Sequence, residues 1–105
     1  MNITELRYLV AIKKWGSVSA AAKQLYAAQP NVSKALKNLE EEYGLRIFER
    51  SSTGMIPTEQ GRRFIEQAAR VLEEVDRLTE DALYAKSIGH DPEGNAITLP
   101  LGVKQ

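Results

Sequence analysis

Hydrophobic positions along the chain fall into four runs of helical spacing and one short stretch of strand character. Ile3, Leu6, Leu9 and Val10 lie on one helical stripe. Asn2 and Glu5 precede it at the three-residue spacing of a capping box, and Gly16 closes it. A second, shorter run turns Val18, Ala21, Ala22 and Leu25 to one side, with Ser17 or Ser19 placed to cap it. Its three consecutive alanines make it thin, so another helix can cross it closely. Tyr26, Ala27 and Ala28 leave room only for a sharp turn. The third run starts near Gln29, with Pro30 suited to a first turn. Its inner stripe is Val32, Ala35, Leu36, Leu39 and Tyr43, and Gly44 stops it.

"LRIFER" and "MIPT" read as two short strands joined by the Gly-containing turn "SSTG", and Pro57 suits the edge of so small a sheet. Thr58 can cap a long fourth helix. There Phe64, Ala68, Val71, Val75, Leu78, Ala82 and Ala85 repeat at alternating spacings of four and three, a heptad seam widened by Ile65 and Leu72. A small domain cannot cover so long a stripe, so its outer turns are expected to meet a second copy. After Ile88, "GHDPEGN" is a linker by composition. "AITLPLGV" alternates like a strand with nothing nearby to pair with, or else forms a disordered tail. The pattern predicts a mainly α fold: a winged helix-turn-helix of three helices and a two-stranded β wing over residues 1–58, a linker or dimerisation helix over 59–88, and over 89–105 a linker that leads into either a further strand or a tail.

Composition narrows the function. At 105 residues the chain suits one domain with a modest core and no deep ligand pocket. The absence of Cys removes disulfides, Cys-ligated zinc and thiol catalysis, and fits the cytoplasm. No apolar stretch is long enough to cross a membrane, and "MNITELRYLV" lacks the regions of a signal peptide. The one His, His90, stands in the linker without a second His or a Cys. No catalytic residue, metal site or cofactor is therefore expected, and an enzyme is not.

Charge adds an asymmetry. Residues 1–65 hold ten Lys/Arg and six Asp/Glu, whereas residues 66–105 hold four and eight. So mild an excess is weak evidence for nucleic acid by itself, and the outer face of the third helix adds to it. Opposite its inner stripe lie Pro30, Lys34, Lys37 and Glu41, flanked by Asn31 and Ser33, with Gln29 at the N-terminal tip. Glu40, Glu41 and Glu42 make its last turn repel phosphate, so the N-terminal half is the end expected to approach DNA. Gln and Asn pair with adenine edges, Lys with guanine, and Ser with several groups. On the wing, Arg50 is a candidate for phosphate or a narrow minor groove. Arg46, Lys13, Lys14, Arg62 and Arg63 are either backbone contacts or ordinary surface charges. The competing reading is a winged helix for protein contact or dimerisation alone. Such a face should carry apolar or aromatic anchors, and the stretch from Gln29 to Lys37 offers none outward.

The stretch from "LRYLVAIKKWGSVSAAAKQL" through "QPNVSKALKNLEEEYGLRIFER" to "PTEQG" closely resembles the N-terminal domain of LysR-type transcriptional regulators. The resemblance covers roughly residues 3 to 64 without a gap, and the long helix matches the family's linker helix. It implies a bacterial, sequence-specific regulator of promoter DNA, with the third helix in the major groove and the wing along the minor groove. It also implies linker helices paired antiparallel in a homodimer through residues 64–85, and tetramers at full length. Carried over by position, Gln29, Pro30, Ser33 and Lys34 would be groove contacts, and Arg50 and Thr53 wing contacts. Three residues depart from the pattern: Ala28 replaces a capping Ser or Thr, Thr53 replaces a basic wing residue, and Pro57 replaces a Leu. Members of the family continue into an effector domain, of which "AITLPLGV" resembles the opening strand. The expectation is therefore a fragment that senses no small molecule.

Overall fold

A computed structural model of the chain describes residues 1–88, so the "GHDPEGN" linker, His90 and the "AITLPLGV" segment lie outside the described residues. The elements are α1 (Ile3–Trp15), α2 (Val18–Gln24), α3 (Gln29–Tyr43), β1 (Phe48–Ser51), β2 (Gly54–Pro57) and α4 (Glu59–Ile88). Residues Met1–Leu72 form one compact unit. A second begins at Glu73, and its described part is the continuation of α4.

Side-chain oxygens set three of the four helix starts. Asn2 Oδ1 accepts from the Glu5 N–H at 2.8 Å, Ser17 Oγ from Ala20 at 3.0 Å, and Thr58 Oγ1 from Gly61 at 2.9 Å. Only half of the anticipated capping box forms, because the Glu5 carboxylate accepts from Asn38 Nδ2 on α3 instead. Gly16 and Gly44, both left-handed, end α1 and α3.

Leu9, Ile12, Val32, Leu39, Ile47 and Ile65 are the largest fully buried side chains. The apolar stripe of α1 is therefore rotated from the expected one. Ile12 replaces Ile3, which lies on the first turn beyond the edge of the core and is exposed, as is Leu25 at the C-cap of α2. The thinness of α2 has the expected effect: Ala21 and Ala22 are buried and let α3 cross closely.

The strands are shorter than "LRIFER" and "MIPT" suggest. Leu45 and Arg46 precede β1, and Ile47 goes to the core. A two-residue turn at Ser52 and Thr53 sets the antiparallel register, with Ser51 opposite Gly54, Arg50 opposite Met55, and Phe48 opposite Pro57. Gly61 is needed where α4 meets the chain at Ile47, since a Cβ there would overlap the Ile47 carbonyl. On α4 the face turned to the core carries Gly61, Ile65 and Ala68.

Candidate nucleic-acid interface

Three residues separate the C-cap of α2 from the first residue of α3, and Tyr26 takes a left-handed backbone with φ of 53° to make the turn. Ala28 then stands in extended conformation at the N-cap position of α3 and offers no side-chain hydrogen bond. Pro30 has no N–H to satisfy, and Asn31 and Val32 both donate to the Ala28 carbonyl, at 3.0 and 3.3 Å. With Val32, Ala35, Leu36 and Leu39 fixed in the core, the opposite side of α3 has only one direction to face. Gln29, Pro30, Asn31, Ser33, Lys34 and Lys37 are all exposed. Gln29, Pro30, Ser33, Lys34 and Lys37 border one open concave strip together with Asn38 and Glu41. Sequence reading passed over Asn38, although its position four residues after Lys34 puts it on the same face.

The last turn of α3 is less uniform than its three consecutive carboxylates imply. Glu40 is not a surface charge. Its Oε2 accepts from the backbone N–H of Ile47 at 2.8 Å and of Phe48 at 3.4 Å, tying α3 to the start of the wing. Glu41 and Glu42 remain exposed.

The wing leans on the rest of the domain through the Met55 N–H, which donates to the Gly16 carbonyl at 2.9 Å. Strand alternation puts Arg50 on the same side as Phe48 and Met55, and Glu49 with Ile56 on the other. Arg50 consequently shares a cleft with Gln29 and Ser33 of α3 and with Ser17 and Ser19 at the start of α2. Of the helix candidates singled out from sequence, Gln29 and Ser33 thus share one surface with the wing cation. The two serines are additions, read from sequence only as capping candidates. At the wing tip the hydroxyls of Thr53 and Ser51 lie 3.0 Å apart, the Thr53 N–H donates to Ser51 Oγ, and Ser51 Oγ donates to the Gly54 carbonyl. Thr53 is exposed but tied into this network. Of the other cations, Arg46 donates through Nε to the Phe48 carbonyl at 3.2 Å, and the Lys14 ammonium lies 5.1 Å from the centre of the Trp15 ring. Arg62 and Arg63 are exposed.

The seam residues divide between the two units. In the first, Phe64 is half-buried with its ring 5.2 Å from that of Tyr43, Ala68 is buried in the core of its own chain, and Val71 is 44% exposed. In the second, Val75 is half-buried, and Leu78 (69% exposed) and Ala82 are open. Glu74 and Arg77 form an exposed ion pair at 2.8 Å. The Arg77 hydrogen bond and charge hold the Glu74 carboxyl below its ordinary value. No group of three or more His, Cys, Asp or Glu that could hold a metal ion occurs among the described residues, and no described helix is long and apolar enough to cross a membrane.

Residues 3–62 match the family model described as bacterial regulatory helix-turn-helix protein, lysR family. Among curated relatives, the HTH-type transcriptional regulator TfdS of Cupriavidus pinatubonensis is 40% identical over 89 residues, which is 85% of this chain and 30% of that protein. BenM of Acinetobacter baylyi is 38% identical over 78 residues, 74% of this chain and 26% of that one. The chain thus spans under a third of the length of these relatives. Among solved structures, the CbnR DBD–DNA complex aligns with a TM-score of 0.75 at 34% identity, covering 82% of this chain and 99% of that one. The complex of the BenM DBD with catB site 1 DNA aligns at 0.79 and 36%, covering 86% and 100%.

Proposed function

The chain belongs to the lysR family of bacterial regulatory helix-turn-helix proteins, and from that premise we propose that its compact unit reads promoter DNA with the N-terminal half of α3. One observation carries the reading. Gln29, Ser33 and Lys34, exposed on one side of α3, are continuous with a cleft that Arg50 of the wing also lines. A helix end lined with amide, hydroxyl and ammonium groups matches the donors and acceptors of base edges in the major groove. In this reading Gln29, Pro30, Asn31 and Ser33 meet bases or their methyl groups. Lys34 and Lys37 meet bases or phosphate, and Arg50 and Thr53 hold the backbone beside them. The inward set of Arg50 favours a phosphate next to α3 over a distant minor groove.

The same reading makes the module a homodimer through α4. Val71, Val75, Leu78 and Ala82 lie at heptad spacing, Val75 half-buried and the other three exposed, and a second α4 is the natural cover. Phe64 and Ala68 then act mainly by fixing α4 to its own domain. Assembly into tetramers would belong to a longer protein, and a DNA-binding role places the protein in the bacterial cytoplasm.

Selection of bound duplexes from a random pool tests the proposal. The expected winners contain an interrupted inverted repeat. With a selected duplex, Lys34→Ala should weaken binding and reduce the slope of log K against log salt by about one, as loss of a phosphate contact does. Gln29→Ala should mainly erase the preference for the selected sequence, by about 1–3 kcal/mol. Equal affinity and equal salt dependence for selected and random duplexes would sink the sequence-reading role.

A further inference from the structure

We propose that Tyr26, at the turn between α2 and α3, is a DNA-backbone contact, its phenol hydroxyl donating to a phosphate of the strand that borders the groove at the N-terminal end of α3. The proposal rests on the DNA-binding reading above and adds a residue to it.

Three observations converge on Tyr26. The first is conformational. It is the one non-glycine residue with positive φ among those described; the other positive values belong to Gly16, Gly44 and Gly54. The left-handed region disfavours a bulky L-residue, and Gly or Asn fills it at lower cost. The second is burial. Tyr26 is 98% exposed, whereas the Tyr43 ring packs on Phe64. The Tyr26 ring therefore returns nothing to the fold that tolerates its strained backbone. The left-handed backbone makes the turn, a task Gly or Asn would do at lower cost, so it is the choice of an exposed aromatic ring there that points to a contact outside the fold.

The third observation is position. Tyr26 N–H donates to the Lys23 carbonyl at 3.3 Å and Ala27 N–H to the Ala22 carbonyl at 2.9 Å, so the turn is fixed to the end of α2. Gln29 follows three residues later, at most about 10 Å along an extended backbone. The major groove is about 12 Å wide. A chain that seats Gln29 in that groove reaches it by passing one of the bordering phosphate strands, and Tyr26 stands on the approach. The electrostatics suit a polyanion: no Asp or Glu occurs between Glu5 and Glu40, and exposed Lys23 precedes the turn by three residues. A phenol is neutral, so it can donate to phosphate without displacing a counterion.

Neutrality gives the test a signature. Wild type, Tyr26→Phe and Tyr26→Asn would be titrated with a selected duplex across a range of salt, and their thermal unfolding compared without DNA. Both variants should bind about three- to tenfold more weakly, the size of one net hydrogen bond, with the salt slope unchanged. Tyr26→Asn should unfold at the same temperature as wild type or higher, which separates the contact from folding. Wild-type binding with both variants indistinguishable from it would overturn the contact alone, and would leave the ring as an anchor for a protein partner. A loss confined to Tyr26→Asn and accompanied by a lower unfolding temperature would also overturn it, because the turn rather than the hydroxyl would then be responsible. Wild type that binds no duplex would remove the DNA reading and this contact together.

Discussion

Glu40 is the residue on which the attachment of the wing turns. Its carboxylate takes the N–H groups of Ile47 and Phe48 just where the chain leaves the core to form β1. Ile47 and Phe48 are themselves buried, so water is a poor substitute partner. Glu40→Ala leaves both donors unpaired, and the expected loss is about 2–3 kcal/mol of folding stability. Urea unfolding measures it as a lower midpoint at unchanged slope. Glu41→Ala, on the exposed neighbour, is the control and should stay within about 0.5 kcal/mol. A Glu40 variant no less stable than the Glu41 variant would mean that the wing is held by Met55 and Gly16 without help. Nothing local in "LEEEYG" distinguishes Glu40 from the two carboxylates that follow it. The distinction comes from the path of the chain seven residues later, which no periodicity carries.

Among the helices, α3 is the one whose start has no side-chain cap although it bears the proposed reading residues. Asn2, Ser17 and Thr58 each cap the helix they precede, but Ala28 holds only the backbone geometry of a cap. Ala28→Ser would supply the oxygen. Because Pro30 has no N–H, the new acceptor must take Asn31, which already donates to the Ala28 carbonyl. The gain should therefore sit at the low end for capping, about 0.5–1 kcal/mol. Hydrogen exchange at Asn31 and Val32 should slow in the variant, and unchanged exchange there would show that the end is not frayed in wild type. Element by element, the sequence was most legible where spacing and punctuation decide the outcome. Gly16 and Gly44 stop their helices, the alanines of α2 thin it, and the outer face of α3 follows from its inner one. Legibility failed where a third element intervenes. The core took Ile12 in place of Ile3 because α1 is oriented by its neighbours. The two-residue turn at Ser52 and Thr53 fixed a register that sends Arg50 toward α3, and a cation outside regular periodicity gives no sign of which way it will face.

At the scale of the whole molecule, two apolar demands compete for one helix. The side of α4 with Gly61, Ile65 and Ala68 is consumed by the compact unit that ends at Leu72. Val71, Val75, Leu78 and Ala82 follow the same heptad but retain open surface. Sequence alone merges the two sets into one stripe, because Ala68 belongs to both series. The division predicts that dimerisation and folding respond to different substitutions. Val75→Asp and Leu78→Asp place a carboxylate in the proposed seam beyond the compact unit, beside Glu74 and Asp76. Each should give a monomer in sedimentation while thermal unfolding of the 1–72 unit is retained. Ala68→Asp, by contrast, buries a charge in the core and should unfold the domain. On DNA, a monomer loses the gain in effective concentration that links two half-sites. The seam variants should therefore bind a single half-site as wild type does and lose their advantage on the inverted repeat. Wild type already monomeric at the highest concentration reached would eliminate the seam. Monomeric variants that still favour the inverted repeat would show that the second half-site recruits its copy by some surface other than α4.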